Sequence, residues 1–190
     1  MKKFFYLFSL IMCLASCSSC NKEAEISELN VESSINLDKE YMFADYGNNY
    51  KWYETCILLE NYLDEENDGL ILSVSNVFQV ITSTDSTSYD TEVILATHTL
   101  ENTYIETKQG FWVEDFALND CNIKVSFKSA FEKLMQSNFP KPHSRHCVLR
   151  KQVGPIESNP QYIFGNQHAQ LYVDAITGNI TDKNPAFPED

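Results

Sequence analysis

Basic residues are scarce in this chain of 190 residues: 14 Lys and Arg stand against 27 Asp and Glu, for a net charge of −13. No Lys/Arg cluster interleaved with aromatics occurs, and a polyanion repels nucleic acid and anionic lipid surfaces, so nucleic-acid binding is excluded from the expected functions. Long apolar runs are also missing. The longest, Phe4 to Leu14, is about eleven residues, too short to span a bilayer. Motif chemistry is equally thin. There is no GxSxG, P-loop, Rossmann glycine pattern or HExxH, and no Cys-x-x-Cys is paired with a second one, so neither a cofactor nor a metal site is expected. No internal repeat is visible.

What is present begins at the N-terminus. Lys2 and Lys3 precede the apolar run, which ends in Leu14-Ala15-Ser16-Cys17. The run has the length of a secretory h-region, and the four residues resemble the lipobox of bacterial lipoproteins. The resemblance implies cleavage before Cys17 and acylation of that residue. At roughly 0.8 kcal/mol per buried methylene, two or three acyl chains hold a protein firmly on a bilayer. Cys20 fits less well, because Cys17 occupies the place where the lipobox carries Leu. Ser18, in place of the Asp that signals inner-membrane retention, points to the outer membrane, on its periplasmic or surface face. Loss of residues 1–16 removes two lysines and no acid, leaving 12 basic against 27 acidic residues. Residues 17–30 are polar and acidic and read as a tether. The remaining cysteines, Cys20, Cys56, Cys121 and Cys147, allow three full disulfide pairings, and spacing does not choose among them. Cys56 and Cys147 also sit in apolar runs, where a thiol behaves as a small hydrophobe.

Along the folded part, Leu29, Ile35, Leu37, Tyr41, Phe43 and Tyr46 obey no single period, and a short helix is expected over residues 31–46. Leu70, Leu72, Val74, Phe78 and Val80 share one parity and predict a strand with one buried face. Val93, Leu95 and Thr97 alternate in the next strand, and residues 103–107 and 111–118 flank Lys108-Gln109-Gly110 as a hairpin. Residues 31–122 thus read as a β-meander region with an N-terminal helix. Ser126 then offers an N-cap, and Phe127, Ala130, Phe131 and Leu134 recur at helical spacing up to the stop at Pro140 and Pro142. Short strands are expected over residues 146–153, 161–164 and 169–173. Trp52 and Trp112, with Tyr50, Tyr53 and Phe111, read as core aromatics ahead of a ligand patch.

The stretches "SFKSAFEKL", "CVLRKQVGP", "NPQYIFG" and "LYVDAITGNI" resemble the PepSY domain family, whose last strand ends in a Val-Asp-Ala-x-Thr-Gly turn. Ser129 and Asn179 stand where that family carries acids. The resemblance implies a module over residues 123–182, followed by a tail over 183–190, and a role in regulating exported peptidases; it brings no catalytic residues. The expected fold class is therefore α+β: an antiparallel β-meander region followed by a helix-plus-three/four-strand PepSY-like (cystatin-like) module. Within the turn, Leu171 and Val173 face the helix, so Asp174 lies at the strand end. There it shapes the turn with Thr177, while Gly178 supplies the positive φ.

The expected function is that of a membrane-anchored envelope lipoprotein acting as a non-catalytic protein-binding or peptidase-regulating module. Its partners are the bilayer, through acylated Cys17, and an envelope protein such as a peptidase. Two alternatives stand beside it. An envelope hydrolase would use the Cys147/His146 region, with His143 nearby; a structural subunit would serve a surface assembly. Asp85-Ser86-Thr87 resembles an O-glycan acceptor pattern, with Ser86 as the candidate residue. Metabolic labelling with palmitate is expected to mark the protein, to vanish in Cys17→Ser and to persist in Cys20→Ser.

Overall fold

Apolar residues at every second position make strands here, and those at every third or fourth make helices. A computed structural model of the chain describes residues 28–81, 91–112 and 116–187. Its elements are α1 (Val31–Tyr46), β1 (Tyr50–Leu59), β2 (Ile71–Ile81), β3 (Thr91–Thr99), β4 (Thr103–Gln109), α2 (Phe127–Gln136), β5 (His146–Arg150), β6 (Gln161–Asn166), β7 (Ala169–Asp174) and β8 (Ile180–Thr181). The strands form one eight-stranded sheet in the order β4-β3-β2-β1-β5-β6-β7-β8, and every neighbouring pair is antiparallel.

This architecture overturns the expected meander followed by a helix-plus-three/four-strand PepSY-like module. The protein is β-rich, about 18% helix and 38% strand among the described residues, and the strands after α2 continue the sheet begun before it. The cause lies in β1. β2 takes one of its edges, and β5 takes the other, from Glu54 opposite Arg150 to Leu58 opposite His146. With one edge bare, β1 would leave a row of N–H and C=O groups unpaired beside the core. Alternation in a sequence marks the apolar face of a strand but not its neighbour. The hairpin expected across Lys108–Gly110 is also absent. β4 pairs with β3, from Glu92 opposite Gln109 to His98 opposite Thr103. Residues 111–112 and 116–118 are not strand, and 113–115 lie outside the described residues.

Both helices lie on the same face of the sheet and share one core. α2 buries Phe127, Ala130, Phe131 and Leu134 against Cys147, Leu149, Tyr162, Phe164, Leu171 and Val173. Ser126 caps it by accepting from Ser129 N at 3.2 Å. Two register shifts in the β1–β2 ladder, with Tyr53 of β1 and Leu72 of β2 as the extra residues, decide which β2 residues enter this core. The second, between Leu58 and Leu59, buries Ile71 and leaves Leu70 and Leu72 exposed, where strict alternation predicted both inside.

α1 explains its own unreadable period. Asn30 caps it, and Gly47, at φ +60°, ends it. Its inward face carries Val31, Ile35 and Met42 but also Ser34 and Asp38, while Leu37, Tyr41 and Phe43 are exposed. The buried acid is matched by the sheet below. Asp38 accepts from Asn76 Nδ2 at 2.7 Å and meets His98 Nε2 at 2.9 Å. Asn76, opposite Thr55, accepts from the Thr55 hydroxyl, which in turn accepts from the Trp52 indole. The other nitrogen of His98 meets Thr103 Oγ1 at 3.0 Å. This polar chain crosses β1, β2 and β3 beneath the helix and fixes where α1 sits.

Asp38→Ala orphans buried groups on both His98 and Asn76. It is expected to cost about 2–4 kcal/mol and to lower Tm by roughly 5–15 °C, against little change for Glu40→Ala on the exposed side. A calorimetric melt of the three proteins checks this.

Candidate functional site

Asp174 sits at the end of β7, and both oxygens of its carboxylate accept hydrogen bonds. Oδ1 accepts from the backbone N–H of Ile176 and of Thr177, each at 2.8 Å. Oδ2 accepts from Asn159 Nδ2 at 2.9 Å and Gln161 Nε2 at 3.4 Å. Thr177 Oγ1 accepts from Asn179 N at 3.3 Å. Gly178 holds φ +76°, and a Cβ there would run into the Lys133 ammonium of α2. Partial burial acts to raise the Asp174 pKa, but the donors of Asn159, Thr177, Ile176 and Gln161 outweigh it and hold the carboxyl below its ordinary value.

Cys147 and His146 are parted by the pleat. Cys147 faces the core and is 1% exposed; His146 is exposed on the opposite face. Burial, and secondarily the neighbouring Cys56, push the Cys147 thiol well above its ordinary pKa. Burial and the Glu54 charge push Cys56 up to about 12. Such thiols are poor nucleophiles at neutral pH. The rings of His98 and His143 are occupied by Asp38 and Asp64 respectively. Cys56, Cys121 and Cys147 are free thiols; Cys56 and Cys147 lie on adjacent strands but on opposite faces. Among the described residues, no group of three or more His, Cys, Asp or Glu is placed to hold a metal. Trp52 and Tyr53 are buried, Tyr50 and Trp112 half-buried and Phe111 exposed, so these aromatics do not form one patch. Cys17, Cys20 and Ser86 lie outside the described residues.

The structure assembles a different site, on the helix-bearing face. A groove of about 520 Å³ opens between the start of α1, the loop at Asn67–Gly69 and α2. Its floor is apolar: Val31, Ile71, Phe127 and Phe131 are buried there. Among the described residues its rim carries four carboxylates, from Glu28, Glu32, Asp68 and Glu132, against the single ammonium of Lys128. The walls are tied together. Glu32 Oε1 accepts from Phe127 N at 2.6 Å, so an acid of the first turn of α1 caps the start of α2. The Asn67 side chain donates to the carbonyls of Asn61 and Tyr62 and accepts from Gly69 N. Gly69, at φ +82°, sits so close to the Phe131 ring that a Cβ would approach to 3.0 Å. An apolar trough with an acidic lip suits a group with an aliphatic stem and a cationic head.

Sequence reasoning missed this groove because its walls come from residues 28–32, 67–71 and 127–136. Helical spacing shows only that Lys128 and Glu132 share a stripe of α2. In comparisons with known proteins, no family model, no curated protein and no solved structure matches the chain.

Because the folded-state pKa of Asp174 is depressed, its stabilising contribution is present above the unfolded value and is lost as pH falls through the folded one. Asp174→Ala is expected to cost about 1–3 kcal/mol near neutral pH. The gap from wild type should shrink as pH drops below roughly 4, as read in urea titrations at several pH values.

Proposed function

We propose that this protein is a lipid-anchored component of a bacterial cell envelope that binds a partner protein without catalysis. It takes a basic, partly apolar segment of that partner into the groove between α1 and α2. The observation that carries the reading is the groove itself: among the described residues, four carboxylates and one ammonium around an apolar floor, in a chain of net charge −13. An exported peptidase presenting a Lys- or Arg-bearing surface segment is a partner of this chemistry. The separation of Cys147 from His146 across the sheet supports a binding role ahead of a cysteine hydrolase.

The anchor gives the site its location. Eleven residue steps separate Cys17 from Glu28 at the groove mouth, a reach of at most about 40 Å. Acyl chains on Cys17 thus keep the groove near the bilayer surface. No helix among the described residues is long and apolar enough to cross a membrane.

A fluorescent peptide of alternating Lys and Leu is the probe. It is expected to bind the full chain in detergent, to weaken about tenfold when Glu28 and Glu132 are both changed to Lys, and to weaken with added salt. Equal binding of a Glu/Leu peptide, or indifference to the double charge reversal, overturns the reading.

A further inference from the structure

The sheet ends differently on its two sides. β8 is a two-residue strand, whereas β4 has seven residues, every one exposed. Long open edges are usually blunted by Pro, by a bulge or by charge. β4 contains no Pro, and its register with β3 runs without a shift. Thr99 N donates to Asn102 O, and Gly110 N donates to Thr91 O. These two bonds fix the phase of the β3–β4 ladder. Tyr104, Glu106 and Lys108 turn their backbone groups toward β3; Thr103, Ile105, Thr107 and Gln109 turn theirs outward. Three of these four outward residues are β-branched, the type that favours strand pairing.

The charges on this edge are self-complementary. When a second β4 is laid antiparallel with Thr107 opposite its own counterpart, Glu106 faces Lys108 of the second copy, and Lys108 faces its Glu106. Tyr104 then lies across from Gly110, and Ile105 across from Gln109. Glu106 and Lys108 occupy non-hydrogen-bonded pairs, whose Cα atoms are about 4.5 Å apart, the closer of the two spacings. A register centred on Glu106 sets like charges opposite one another, which destabilises; one centred on Ile105 pairs no charges. Of these registers the Thr107 one sets opposite charges across the seam, where within one copy Lys108 Nζ lies 3.5 Å from Glu106 Oε2.

α1 adds apolar surface beside this edge. Lys39 lies over the Trp52 ring of β1, and Asp38 points at β2 and β3. At about 100° per residue, Leu37 and Tyr41 therefore hang from the opposite flank, toward β4. Leu37 is 58% exposed, Tyr41 47% and Ile105, on the same side of the sheet, 49%.

We propose that β4 pairs antiparallel with β4 of a second copy of this chain, centred on Thr107, joining two eight-stranded sheets into one. The occupied surface lies away from the groove, so the dimer and the peptide site stand or fall separately. Under mild oxidation in detergent, full-chain Thr107→Cys is expected to form a disulfide-linked dimer at least about tenfold faster than Thr103→Cys. Paired Cα atoms about 5.5 Å apart suit a disulfide, whereas in this register the two copies of residue 103 are roughly 27 Å apart along the strands. Unsubstituted protein, with its own thiols, sets the background. Ile105→Pro loses no hydrogen bond within the copy and is expected to raise the dimer dissociation constant at least about tenfold in sedimentation, with little change in melting. Cross-linking at residue 103 as fast as at 107, or an unsubstituted chain that sediments as a monomer at the highest concentration reached, overturns the proposal.

Discussion

The pairing of β1 with β5 is the constraint on which the rest of the structure depends. It joins a strand from the first half of the chain to one that follows α2, and it does so between Glu54–Leu58 and His146–Arg150. Once β1 is hydrogen-bonded on both edges, the two helices must share one face of one sheet. Their apolar sides then merge into a single core running from Val31 to Ala175. The groove follows from the same event, since α1 and α2 are brought close enough for Glu32 to cap Phe127.

The chain order on either side of that pairing is alike: a helix, then four strands, twice over. The sheet order reads outward from β1 and β5 in the same sense on both sides. The halves differ in how their helices are held. α2 rests on aromatic packing among Phe127, Phe131, Tyr162 and Phe164. α1 is pinned by a buried polar chain from Asp38 through Asn76 to Thr55. A polar network specifies position more sharply than apolar contact does, because each displaced group loses its partner. The outer side of α1 exposes Leu37, Tyr41 and Phe43, and no second strand among the described residues pairs with β4.

Much of the secondary structure was legible from residue spacing. The helix after Ser126 showed itself in Phe127, Ala130, Phe131 and Leu134, and the strand ending at Asp174 in Leu171 and Val173. Misreadings fell where a tertiary contact reversed a local signal. Leu72 is exposed because it is the extra residue of a register shift that sets Ile71 opposite Leu59 and turns Ile71 inward. The supposed hairpin at Lys108–Gly110 fails because the chain after Gly110 turns back over the sheet, Trp112 N donating to Gln79 Oε1 of β2 and Leu118 N to the carbonyl of Trp52 in β1. α1 hid its period because Asp38 is buried and Leu37 is not.

By itself the sequence determined the local elements, the Asp174 turn and an acidic chain without catalytic signatures, for each depends on neighbours a few residues apart. Helix spacing, a cap, a glycine at positive φ and a net charge are short-range or additive properties. Only the tertiary structure decided that one sheet replaces two modules, that His146 and Cys147 face apart, and that Glu28, Glu32, Asp68 and Glu132 ring one trough. Those outcomes rest on which strand edges meet, and backbone hydrogen bonds, identical in every residue but proline, carry no sequence label for their partner.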